Sequence, residues 1–184
     1  MKDLIKKSIQ DHTEVLTLIN KDIINAASHI ILDAVNNGNT IFWCGNGGSA
    51  SQANHLSAEL LGGMYQKKIK PFQSICLNID TAFITAWSND DSFDNIFSRQ
   101  LEALSKPGDV LIGLSTSGNS SNILNGAIFA HSNQLKVVSL TGNDGGKLKK
   151  NSDININIPN ASTQRIQEMH ILIGHIICDI IETN

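Results

Sequence analysis

Arginine is almost missing from this sequence: Arg99 and Arg165 are the two among 14 cations, and the net charge is −3. A surface for nucleic acid or anionic lipid needs many cations to neutralise phosphates, so neither partner is expected. The short lysine runs, Lys67, Lys68 and Lys70, then Lys147, Lys149 and Lys150, read as solvated loops. Charged residues make up 17% of the chain, against about 25% in a typical soluble domain. Long apolar runs are absent too. The stretch Ile171 to Ile181 is interrupted by His175 and Asp179 and is too short for a bilayer span of about 20 residues. The amino terminus, MKDLIKKSIQDH, has no signal-peptide core, so a cytoplasmic location is expected. Three widely spaced cysteines, Cys44, Cys76 and Cys178, predict reduced, buried thiols rather than a disulfide or a CxxC site.

Neutral polar groups fill the deficit: 20 Asn and 18 Ser stand beside 26 Ile. A chain of 184 residues buries roughly 70% of its unfolded surface as one domain, and a single domain over 1–184 is the expectation. Residues 2 to 36 carry apolar positions at helical spacing, ending at Asn37-Gly38, which predicts one long or two consecutive amphipathic helices. Five β-rich runs follow: Thr40 to Cys44, Phe72 to Leu77, Val110 to Leu114, Lys136 to Leu140 and Asp153 to Ile158. Helical patterns lie between them at Ala50 to Leu61, Phe93 to Leu104 and Asn122 to His131, and a last helix runs from about Gln164 to Glu182, capped by Ser162 or Thr163. Strands alternating with helices imply an α/β fold, a parallel sheet covered on both faces, with ligands bound at the edge where the strands end.

Two small-residue loops leave apolar strands and enter helices. Ser115-Thr116-Ser117-Gly118-Asn119-Ser120-Ser121 points backbone N–H groups, a helix amino terminus and hydroxyls into one space, a phosphate cradle without arginine; a serine-rich turn and helix cap reads equally well. Gly45-Asn46-Gly47-Gly48-Ser49 permits close backbone approach or merely a tight turn. It is neither a Walker loop nor a dinucleotide fingerprint. His55 and Glu59 follow at i, i+4, where they suit a divalent metal, a division of acid and base roles, or a surface contact. His175 sits among apolar neighbours, as a hydrogen-bonded core histidine does. Gln167 lies eight residues earlier, a rise of about 12 Å and a turn of about 80° on a straight helix. Both can serve one small site only if that helix is distorted or two subunits contribute. In the second case the stripe Ile166, Met169, Ile173, Ile176, Ile177 and Ile180 would form an oligomer seam. Asn89-Asp90 reads as a helix terminus or turn that presents a carboxylate at the sheet edge, and Thr141 to Gly146 as a turn without chemistry.

Together, CGNGGSASQANHLSAEL, SNDDSFDNIFSRQLEAL, GDVLIGLSTSGNSSNI, VVSLTGNDGGK and RIQEMHILIGH resemble the sugar isomerase (SIS) domain and, within it, the bacterial phosphoheptose isomerase family. The resemblance runs over essentially the whole chain. It implies a three-layer fold with a five-stranded parallel sheet and an amino-terminal helical extension, assembled as a homotetramer with active sites between subunits. It implies zinc, one per subunit, on His55, Glu59, Gln167 and His175. It implies substrate contacts at Asn46, Gly47, Gly48, Ser49, Glu59, Asn89, Asp90, Ser115, Thr116, Ser117, Ser120 and Gln167. The implied reaction interconverts sedoheptulose 7-phosphate and D-glycero-D-manno-heptose 7-phosphate through a cis-enediol, for lipopolysaccharide or capsule. Glu59 would be the base and His175 the partner acid. A sister group, the DnaA initiator-associating proteins, shares the RIQEMH helix but is a binding module, with a loop reading STRGNS and without the Glu and His found here at 59 and 175. A silent sugar-phosphate sensor would keep the cradle and have no use for Glu59. One departure stands out: Gln164 occupies the place before Arg165 where the family resemblance calls for aspartate.

Overall fold

In this computed structural model, which describes residues 1–64 and 71–184, five strands make one parallel sheet. They are β1 (Ile41–Gly45), β2 (Ser74–Cys76), β3 (Val110–Ser115), β4 (Lys136–Gly142) and β5 (Ile154–Ile158), in the order β2-β1-β3-β4-β5. The helices are α1 (Lys2–Leu16), α2 (Lys21–Asn36), α3 (Gly48–Gly62), α4 (Thr81–Asp90), α5 (Ile96–Leu104), α6 (Ser121–Ser132), α7 (Gly146–Lys149) and α8 (Thr163–Thr183). The expected lysine loop at 67–70 lies outside the described residues.

Burial on both faces follows from the period of two along a strand. From β1, Ile41 and Trp43 point into one core with Leu56 and Leu60 of α3 and Met169 and Ile173 of α8. Phe42 and Cys44 point into the other, with Phe97 and Leu101 of α5 and Ile123 and Ala127 of α6. That gives three layers, as expected. The indole N–H of Trp43 is not orphaned there: it donates to Ser74 Oγ at 3.0 Å. Asp109 anchors the strand entrances, its carboxylate accepting from the Thr40 and Lys106 amides at 2.8 Å each and from Lys106 Nζ at 2.8 Å.

The structure decides between the alternatives that the sequence left open and departs from it on α4 and α8. Residues 2 to 36 form two helices because Asn20 caps the second, its side chain accepting from the Asp22 and Ile23 amides. Asn89-Asp90 ends α4, a helix whose β-branched and aromatic residues make a weak helical signal and which Asp80 caps through Phe83 N. Ser162 caps α8. The stripe on α8 corrects the expected seam. Ile166, Met169, Ile173 and Ile177 share one face and are buried in this chain's own core. Ile176 and Ile180 alone of that stripe turn outward, lining a groove of about 570 Å³ with Leu16, Ile19, Ile24 and Leu172. Among the described residues, no single helix is long and apolar enough to cross a membrane. All three cysteines are free and buried; burial raises the Cys44 and Cys178 thiols, Cys178 to about 12 with Glu59 and Glu182 adding to the rise.

Candidate active site

The strand order reverses direction at β1, so the crevice between the carboxyl ends of β1 and β3 is where an open α/β sheet binds ligands. Both small-residue loops open there. The first is pinned at its root by Asn78, which accepts from Gly45 N at 3.1 Å and donates to Gly45 O at 2.9 Å. Its next residue, Asn46, exchanges two amide hydrogen bonds with Asn122 of α6. In the second loop Ser115 Oγ and Ser120 Oγ are 3.2 Å apart, Ser120 occupies the cap position of α6, and Ser117 Oγ accepts from Asn119 N. Gly118 turns the chain with a φ of +63°, and a Cβ there would fall 2.0 Å from Gly145 O. The turn after β4, read as free of chemistry, therefore buttresses the cradle: Leu148 N donates to Gly118 O and Lys147 N to Asn119 Oδ1.

Gln167 reaches the first loop from α8. Its side-chain nitrogen lies 2.7 Å from where a Gly48 Cβ would stand, and its carbonyl accepts from Gln52 Nε2 at 2.7 Å. Asn46 to Ser49, Ser115 to Ser120 and Gln167 thus gather at one sheet edge. Asn89 and Asp90 are exposed at the end of α4, and their side chains bond to each other. Gln164 is exposed and its Oε1 accepts from Ser162 Oγ.

A second cluster forms where α3 crosses α8. The helices approach closely because residue 174 is glycine; a Cβ there would lie 2.3 Å from Leu56 Cδ1. That approach brings His175 Nε2 to 2.9 Å from His55 Nε2, with Glu59 Oε1 at 3.4 Å from the same His55 atom. One ligand atom from each residue lies within 4.8 Å of the others. Two imidazoles and a carboxylate converging, partly open to solvent, are a donor set that holds a divalent metal. The helix is unbroken between Gln167 and His175, so the rise of about 12 Å keeps Gln167 at the loop end. The core histidine of α8 is His170, not His175. It is fully buried, its Nε2 meets Thr141 O at 3.1 Å, and burial lowers its pKa to about 4.

The SIS domain family model matches residues 6–142. The chain belongs to the SIS domain family, among its phosphoheptose isomerases. Such an enzyme from Aliarcobacter butzleri is 44% identical, over 99% of this chain and 97% of its own length. One from Helicobacter hepaticus is 45% identical, over 100% and 94%. The solved structure of phosphoheptose isomerase GmhA from Neisseria gonorrhoeae superposes with a TM-score of 0.93 at 36% identity, covering 100% of this chain and 99% of that one.

Asn122, Asn78, Gln52 and Gly174 escaped the sequence reading of this family member. The three amides hold a neighbour across the fold and Gly174 lets α3 close on α8, and nothing local distinguishes such an amide or glycine from a cap or a helix-weakening residue.

Proposed function

We propose that this SIS-domain protein is a sedoheptulose 7-phosphate isomerase, interconverting that ketose with D-glycero-D-manno-heptose 7-phosphate. The observation that carries the reading is the convergence of His55, Glu59 and His175 in one chain, together with its membership of the phosphoheptose isomerases.

Zinc is the metal that two imidazoles and a carboxylate suit, and His55, Glu59 and His175 would hold it, joined by Gln167 of the partner subunit. Bound there, it would supply Lewis-acid stabilisation for charge developing on the sugar oxygens. The proton transfers belong to the chain. Glu59 takes the proton from C1 of the ketose and returns it to C2, while His175 gives a proton to the C2 oxygen and recovers one from the C1 oxygen through a cis-enediol. Glu59 can serve both purposes because a carboxylate has two oxygens. The hydroxyls of Ser115, Thr116, Ser117 and Ser120 and the N–H groups at the α6 terminus hold the sugar phosphate, which explains how a chain with two arginines binds a dianion. Asn46, Gly47, Gly48, Ser49, Asn89, Asp90 and Gln167 complete the substrate contacts.

The assembly we propose is a homotetramer in which a neighbouring subunit completes each site. Gln167 and His175 lie about two turns apart on an unbroken helix, Asn89 and Asp90 are exposed, and Leu4, Ile5 and Ile9 leave an exposed apolar strip on α1. Light scattering checks the mass. The enzyme works in the cytoplasm, and its product feeds activated heptose synthesis for lipopolysaccharide or capsule. A binding module or sensor has no use for Glu59 beside two histidines. Zinc-loaded protein incubated with sedoheptulose 7-phosphate and followed by NMR should form the aldose; no conversion at micromolar enzyme rules the reading out.

A further inference from the structure

Asn122 is a buried polar side chain between the two loops, 2% exposed, in the first turn of α6. Its amide is almost fully used. Oδ1 accepts from Asn46 Nδ2 at 2.8 Å and from Ile123 N at 2.9 Å, and Nδ2 donates to Asn46 Oδ1 at 2.9 Å. A buried amide left unpaired is costly, and the three bonds avoid that cost for Asn122.

That partner is Asn46, 76 residues away in the chain. Two antiparallel amide bonds form a planar pair and fix both the position and the rotation of the Asn46 side chain, leaving it one N–H and one acceptor lone pair. The loop's other holds are on its backbone and ends: Ser49 N donates to Asn46 O at 3.0 Å and the Gln167 side chain packs against Gly48. Gly45 is bonded to Asn78, but Gly47 and Gly48 follow with no side chain, Gly47 at a φ of +54°. Across the pair lies the Ser115 to Ser120 loop, which runs directly into the helix that carries Asn122.

We infer that Asn122 is a positioning residue of the isomerase: through Asn46 it locks the Asn46 to Gly48 loop to the Ser115 to Ser120 cradle, so that both face one ligand as a unit. The inference rests on the proposed isomerase reading, because it is the loops' common substrate that gives the lock a catalytic consequence. Asn122 touches no reacting atom; its effect passes through Asn46.

The test is a double-mutant cycle on kcat/KM for sedoheptulose 7-phosphate, with Asn46→Ala, Asn122→Ala and the pair, and with thermal midpoints measured alongside. Losing two neutral hydrogen bonds lowers kcat/KM by about 10- to 30-fold for Asn122→Ala. In the Asn46→Ala background the same change costs less than about twofold, since the group it acts through is gone. A merely structural role gives the same loss in both backgrounds, and that outcome overturns the inference. If Asn122→Ala fails to fold, Asn122→Asp takes its place in the cycle. It keeps the shape and both acceptor bonds but loses the donor to Asn46 Oδ1, and should show the same background-dependent loss. Wild-type kcat/KM in either variant also overturns the inference. The cycle is repeated on sedoheptulose 7-phosphate binding by calorimetry, which needs no turnover. Coupled binding losses in a protein that turns nothing over would uphold the lock and sink the isomerase reading; additive losses in an active enzyme would do the reverse.

Discussion

The Nε2 atoms of His55 and His175 lie 2.9 Å apart, although 120 residues separate them. Two imidazoles in that position each offer a lone pair to the same point when neutral, and Glu59 stands beside them. Replacing either histidine by alanine should lower zinc retained after dialysis at least about tenfold, measured by elemental analysis. Retention in the parent protein should fall on acidification, because an imidazole nitrogen must be free of its proton to hold a metal.

Gly174→Ala tests what brings those histidines together. Alanine gains about 1 kcal/mol of helix propensity over glycine. Its Cβ would meet three Leu56 atoms at 2.3, 2.6 and 3.0 Å, in a side chain that is fully buried. Overpacking of that kind costs about 1–3 kcal/mol, so the net change should be destabilising in urea unfolding, with zinc content falling as α3 and α8 part.

Acid should weaken the fold in two stages. His170, with its folded pKa depressed to about 4 by burial, refuses a proton that the unfolded chain accepts, so stability present above about pH 6.5 is lost as the pH falls towards 4, by up to about 3 kcal/mol. Asp109 acts lower. Burial raises its pKa, but the bonds from Lys106, Thr40 and Asn39 outweigh that and leave it below the ordinary carboxylate value. Its contribution is present above about pH 4 and lost as the pH falls through the folded pKa. Unfolding free energy against pH should show the upper stage, and His170→Gln should flatten it.

Gly118→Ala should damage the cradle rather than the donor cluster. The residue needs a φ of +63°, and the new Cβ would meet the Gly145 carbonyl at 2.0 Å, so the loop must rebuild. KM for the heptose phosphate should rise by about tenfold or more while bound zinc stays unchanged, read from steady-state kinetics and elemental analysis on one preparation.

The layers of the fold were legible because strand runs such as VLIGL and IFWC are buried on both faces and read as continuous apolar segments. The loops were legible from their small residues at strand ends. Helix α4 was not, since ITAWSND lacks a helical stripe and leaves none of its residues buried. The neighbours of His175 read as those of a core histidine and His170 carried no signal of its own; it takes the approach of α3 through Gly174 to turn His175 to His55 while His170 faces Thr141. The Asn46–Asn122 pair was invisible because its partners lie 76 residues apart and each asparagine alone has a local explanation.

The account stands most directly on Glu59 as the group that carries the proton between C1 and C2. The measurement is the turnover of sedoheptulose 7-phosphate by wild-type protein and by Glu59→Gln, compared at equal bound zinc and equal thermal midpoint. The account predicts aldose formation by the wild type and a loss of about 10²–10⁴-fold in kcat for the glutamine variant. Equal turnover by the two proteins would contradict it.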